Sequence, residues 1–150
     1  MGTSFVDFKD YGYWTKDGFL EGLSFMLARE FEKILDKGDW QKELIERWKE
    51  AATAGFIGCV PSYIDDYFDS SDRLEILQTT LKKIIEELET NNNFITIEVL
   101  NNNKVGMGGW QEVNSQGFKK TAQLMLDLIC GKLKTNASSP IDYWDFGNDQ

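Results

Sequence analysis

The stretch Ser62–Leu88, SYIDDYFDSSDRLEILQTTLKKIIEEL, contains the clearest amphipathic helix in the chain. Its apolar residues recur at steps of three and four, a spacing that keeps them on one face of a helix. We therefore predict a central helix over about residues 72–89, preceded by a short helix at about 63–68, and expect this segment to be the architectural centre. The predicted buried face consists of Leu74, Leu77, Leu81, Ile84, Ile85 and Leu88.

The segment in front of that helix is strongly acidic. Five carboxylates lie between Asp65 and Glu75, where Arg73 is the only basic residue. Carboxylates near a helix N-terminus complement the positive end of its dipole, and Ser62 with Asp65 has the form of a capping box. Two interpretations therefore stay open, a solvated acidic helix start and a patch that binds a partner.

The overall composition predicts one folded domain over residues 1–150 with an acidic surface. Hydrophobic residues make up 41% of the chain and aromatic residues 13%, which argues for a core rather than disorder. The formal net charge is −9, whereas binding to phosphate groups relies on clustered Lys and Arg. This disfavours nucleic acid and anionic membranes as partners. It favours a basic protein partner, although solubility alone also accounts for such a charge.

The sequence shows neither a secretory signal nor a membrane span. The N-terminus lacks a basic region followed by an apolar stretch. No apolar run approaches the ~20 residues that a helix needs to cross a bilayer. We therefore expect a cytoplasmic protein.

The remaining segments predict the fold class. Helical spacing recurs at Phe19–Ile34, Trp40–Ala52 and Phe118–Leu133. Residues Phe94–Leu100 are rich in β-branched side chains and alternate in polarity, which is typical of a strand, and Val105–Trp110 is its candidate partner despite three glycines. The sequence thus predicts a mainly helical α+β fold, with about four principal helices and a small antiparallel β-hairpin near 94–110.

Three segments combine acidic and aromatic residues: Asp7–Trp14 within an aromatic arm at 3–14, Tyr63–Asp69, and Asp142–Asp149 within an acidic-aromatic tail at 135–150. Within the arm, Ser4–Phe8 is a candidate further strand. Tyr and Trp are enriched at binding hot spots, and carboxylates complement Arg and Lys, so these segments are candidate contact surfaces. Alternatively, their rings pin the segments to the core. The predicted partner-binding residues are Asp65, Asp66, Asp69, Asp72, Asp142 and Asp145, with Tyr63, Tyr67 and Trp144 as apolar anchors.

The chain contains no histidine, which removes most familiar catalytic and metal-binding arrangements. Ser-His-Asp and Cys-His nucleophiles are excluded, and so are the common histidine-containing zinc and di-iron sites. Cys59 and Cys130 cannot complete a thiolate cage, and Cys130 is expected to be buried in its apolar run. The aspartates of 65–72 lack the glycine and spacing of a calcium loop, and Gly106–Gly109 lacks the Lys-Ser/Thr of a phosphate loop, so a hairpin bulge is predicted there. We predict no metal and no cofactor.

Two segments, YWTKDGFLEG at 13–22 and YIDDYFD at 63–69, together with the small size, acidity and missing histidine, resemble bacterial immunity proteins. The resemblance is to those of contact-dependent growth inhibition systems. It implies a cytoplasmic inhibitor that binds a cognate toxin domain, often a nuclease, and it assigns no role to a particular residue.

We therefore predict an inhibitor that neutralises a basic toxin domain, with a nuclease as the first candidate, rather than an enzyme. One alternative is a small carboxylate-dependent enzyme or ligand-binding domain, which a concave apolar cavity with two converging carboxylates would support. Another alternative is a subunit of a stable homodimer.

Overall fold

The computed structural model describes residues 2–134. The chain begins with an antiparallel hairpin of strands β1 (Thr3–Phe8) and β2 (Tyr11–Lys16), in which Phe5 lies opposite Trp14. Helix α1 (Asp17–Glu32) follows β2 directly. The later elements are α2 (Asp39–Thr53), α3 (Ile64–Tyr67), α4 (Ser71–Thr90), α5 (Ile97–Asn102), a 3₁₀ turn at Val105–Met107, and α6 (Ser115–Ile129).

The predicted fold class is confirmed, but the predicted position of the hairpin is wrong. Helices α1, α2, α4 and α6 are long, and the described residues contain one two-stranded antiparallel sheet. That sheet is formed by the arm at 3–16 and not by residues 94–110. The candidate strand at Ser4–Phe8 is therefore real, and the segment expected to form a hairpin contains α5 and the 3₁₀ turn instead.

Local capping explains why residues 94–110 do not form strands. Thr96 is the N-cap of α5, and its side chain accepts a hydrogen bond from Val99 N at 3.1 Å. The glycine-rich segment after α5 has positive φ at Gly106, Met107 and Gly108, a conformation that a strand does not contain. It forms a turn instead of the predicted bulged strand.

Helix α1 occupies the centre of the fold, a position that we had expected for the segment 62–88. It contacts α2, α4, α6 and both strands. Its apolar side chains are buried around most of the helix, at Phe19, Leu20, Leu23, Met26, Leu27 and Phe31. Helix α4 instead covers one side of the core with Leu77, Leu81, Ile84 and Ile85, while Leu74 and Leu88 are partly buried.

Helices α1 and α6 approach closely because each presents a glycine to a phenylalanine of the other. A Cβ at Gly22 would collide with the ring of Phe118, and a Cβ at Gly117 would collide with the ring of Phe19. The two rings meet edge to face with centroids 5.8 Å apart. These reciprocal contacts fix the position of α6 beside the first turns of α1.

The end of α6 differs from the sequence-based expectation. Cys130 is exposed, although we expected it to be buried with its apolar neighbours. The inward face of α6 ends at Ile129, and the next residue lies about 100° further round the helix axis. Within residues 2–134, no helix has the length and apolar character needed to cross a membrane.

Candidate functional site

An acidic patch forms where α3 lies against the turn of the hairpin. Asp65 Oδ1 accepts a hydrogen bond from Lys9 N at 2.9 Å, which fastens α3 to that turn. This brings Asp7 of β1 close to Asp65 and Asp66, and all three are exposed. The pKa of Asp7 is raised by partial burial and by the negative charges of the other two. We call Asp7, Asp65 and Asp66 the acidic patch.

The acidic patch carries uncompensated negative charge. None of the ion pairs in residues 2–134 involves its carboxylates. Asp69 and Asp72 are also exposed and without an ion pair there, but they do not contribute to the raised pKa of Asp7. The electrostatic cluster therefore contains two of the predicted aspartates, plus Asp7.

The aromatic residues beside the patch have different environments. Tyr63 is half-buried. Together with Asp65 and Asp66 it lines a pocket with a volume of about 550 Å³. Tyr67 is buried, its hydroxyl accepts a hydrogen bond from Arg47 Nε at 2.8 Å, and it donates one to Glu43. Tyr67 thus joins α3 to α2 and leaves little of its ring for a partner, whereas the ring of Tyr63 is half-buried with the Arg47 guanidinium 5.8 Å from its centre.

The sequence prediction missed Asp7 as a patch residue. The available signal was the alternation of β1, which turns Val6 and Phe8 inward and Asp7 outward. Its proximity to α3 was not visible, because the connecting hydrogen bond spans 56 residues. The predicted site residues Asp142, Trp144 and Asp145 lie outside the described residues.

A second concave region lies at the start of α1. This cavity of about 1250 Å³ is lined by the end of β2, the first turns of α1 and the loop after the 3₁₀ turn. Glu21 lines it and is only 7% exposed. Burial, together with the charge of Asp17, raises the pKa of Glu21 from 4.5 to about 7. We call this the Glu21 cavity.

The Glu21 cavity was also missed by the sequence prediction. Asp17 and Glu21 both line it, one helical turn apart. The signal in the sequence was the carboxylate of Glu21 among the apolar residues of α1. Residues 2–134 contain no group of three or more His, Cys, Asp or Glu side chains arranged to hold a metal ion.

The chain matches no protein-family model, no curated protein and no solved structure. The acidic patch and the Glu21 cavity are therefore the features from which a function can be inferred.

Proposed function

We propose that the protein binds and neutralises a basic toxin domain, with a nuclease as the first candidate, through the acidic patch. One observation carries this proposal. Partial burial and then the charges of Asp65 and Asp66 raise the pKa of Asp7, yet none of the three carboxylates is paired with a cation in the described part of the chain. A cationic partner would relieve that repulsion.

The chemistry of the patch suits a partner that binds nucleic acid. Nuclease surfaces are cationic because they must hold phosphates, and a dense group of carboxylates presents the same charge as a phosphate backbone. Carboxylates also steer a basic protein during diffusional encounter. Tyr63 supplies a half-buried aromatic ring beside them, a residue type enriched at interface hot spots.

The resemblance of the segments at 13–22 and 63–69 to immunity proteins supports the same proposal. In this role the protein acts in the cytoplasm as an inhibitor and not as an enzyme. It requires no metal or cofactor, since occlusion of a cationic surface needs only charge and shape.

The test is to identify a basic partner from the neighbouring gene or by co-purification, and then to measure its association rate at several salt concentrations. The variant Asp7→Asn/Asp65→Asn/Asp66→Asn should associate at least about tenfold more slowly at low salt, with a flatter salt dependence. The reason is that steering depends on the charges that the variant removes.

A matched control removes three exposed carboxylates elsewhere, by Glu50→Gln/Glu86→Gln/Glu98→Gln. This control changes the net charge equally and should keep most of the association rate. Equal slowing of both variants would show that net charge, and not the patch, governs association. A search that yields no basic partner would contradict the proposed function.

A further inference from the structure

Glu21 differs from the other buried carboxylates of α1. Glu30 is 6% exposed and pairs with Lys33 and Lys83, each at 2.9 Å. Asp17 is also 6% exposed, and both of its carboxylate oxygens accept hydrogen bonds. Glu21 is buried to the same degree, but it accepts no hydrogen bond and forms no ion pair with any residue of 2–134. Because Glu21 lines the cavity and no described group pairs with it, its carboxylate is available to a cationic ligand.

The wall beside Glu21 is a rigid indole. The side-chain amide of Asn101 accepts from Trp110 N at 2.7 Å and donates to Trp110 O at 3.0 Å. The indole N–H donates to Val105 O at 2.8 Å. These bonds use the polar groups of Trp110, and its ring also packs against Phe118 with centroids 5.8 Å apart, so the part of the ring that lines the cavity is held in place.

The carboxylate and the indole lie close together on either side of Gly106. A Cβ added at Gly106 would lie 3.2 Å from Glu21 Oε1 and 3.8 Å from Trp110 Cζ2. Glu21, Gly106 and Trp110 all line the cavity, and the carboxylate and the ring are close enough for one ligand to contact both.

The remaining lining is acidic and apolar. The charged groups that line the cavity besides Glu21 are Asp17 on the same helix, Lys16 from β2 and Glu112 from the loop before α6. The Lys16 ammonium lies 5.7 Å from the centre of the Phe19 ring. Lys104, which precedes the 3₁₀ turn, does not line the cavity. The apolar lining is contributed by Phe56, Ile57 and Met107, the last two of which are largely exposed.

We propose that the Glu21 cavity binds a small organic cation, a primary amine attached to an aromatic body. The ammonium group would donate to Glu21, and the body would lie against Trp110 and the apolar lining. An ammonium near an indole face also gains cation–π attraction. The cavity lining contains Asp17, Glu21 and Glu112 against Lys16 alone, and this excess of carboxylates disfavours an anionic ligand. None of the acidic-patch residues lines this cavity, so the site is independent of the proposed partner binding.

The site predicts a specific pH dependence. Because burial and the charge of Asp17 raise the pKa of Glu21 to about 7, part of the population is protonated near neutrality. An ammonium ligand prefers the ionised form, so its binding should release a proton. Affinity should rise about tenfold between about pH 6 and about pH 8. A primary amine stays charged over this range, so the change belongs to the protein.

The test is isothermal titration calorimetry of the full chain with tryptamine at both pH values and constant ionic strength. We expect saturable binding at one site, about tenfold weaker at the lower pH, and at least tenfold weaker binding of the neutral analogue 3-ethylindole. Glu21→Gln should lose at least tenfold in affinity and all of the pH dependence. Glu86→Gln, an exposed carboxylate on α4, should bind as the wild type does.

A second measurement does not depend on any Glu21 variant. Tryptamine should shift the indole N–H resonance of Trp110 in an amide-correlation NMR spectrum of the wild type, with the resonance assigned by Trp110→Phe. Absence of saturable binding, equal binding of 3-ethylindole, unchanged binding by a folded Glu21→Gln, or shifts confined to other tryptophans would each overturn the proposal.

Discussion

Ser4 Oγ lies 2.6 Å from Asp17 Oδ1, and this buried hydrogen bond fastens strand β1 to the first turn of α1. The same hydroxyl accepts from Val60 N at 2.9 Å, and the second Asp17 oxygen accepts from Gly58 N at 2.9 Å. One hydroxyl and one carboxylate therefore hold the hairpin, the central helix and the loop before α3 together.

Replacing Ser4 should destabilise the protein even though the side chain is small. Ser4→Ala leaves the Val60 N–H without its acceptor inside the protein, which costs about 1–3 kcal/mol in the free energy of unfolding. Urea denaturation measures this value. Ser71→Ala on the exposed start of α4 is the matched control and should stay within about 0.5 kcal/mol of wild type. Equal stability of the two variants would show that the Ser4 cluster contributes nothing.

Glu21 should make the protein less stable as the pH rises. Its pKa is about 7 in the folded state and 4.5 without burial, so the folded state binds the proton more tightly. Stability from this group is therefore complete below about pH 4.5 and is lost as the pH rises through about 7, by at most about 3 kcal/mol. Glu21→Gln should match wild type near pH 4.5 and exceed it near pH 8 in urea denaturation. A difference that does not change with pH would contradict the raised pKa.

Glu30 should have the opposite pH dependence. Burial acts to raise its pKa, but hydrogen bonds from Lys83 and Lys33 outweigh burial and lower it. Its stabilisation is therefore present above its ordinary pKa of 4.5 and is lost as the pH falls through the lowered value. Glu30→Gln should cost about 1–3 kcal/mol near neutral pH and progressively less in acid. Parallel unfolding curves of wild type and variant at every pH would rule out this ion-pair contribution.

The close approach of α1 and α6 should make Gly22 intolerant of alanine. Alanine normally favours a helix by about 1 kcal/mol over glycine, but at Gly22 its Cβ collides with the Phe118 ring. We expect Gly22→Ala to lose about 1–3 kcal/mol net, because the ring has to move within a packed core.

Gly18→Ala is the matched control on the same helix. A Cβ there would meet Trp110 at 3.5 Å, an ordinary contact, so the helix-propensity gain of up to about 1 kcal/mol should remain. Thermal denaturation of both variants separates the two effects. Stabilisation by Gly22→Ala would show that the glycine–phenylalanine packing does not constrain the helices.

The sequence by itself determined the four long helices and the composition of the acidic stretch. Helical periodicity is a local property, since residues three and four apart share a face whatever lies opposite. This is why Leu77, Leu81, Ile84 and Ile85 are buried as predicted, while Leu74 and Leu88 at the ends of the same face are partly buried.

Only the tertiary structure decided where the hairpin lies and which helix is central. The alternating residues at 94–100 had no pairing strand, and the Thr96 cap favoured a helix, while the arm at 3–16 paired with itself. Likewise, Asp7 lies near Asp65 because the hydrogen bond from Lys9 N to Asp65 spans 56 residues. Glu21 is buried by elements that are distant from it in the chain. Strand pairing, charge clustering and burial depend on residues that are distant in the chain, so no local pattern contains them.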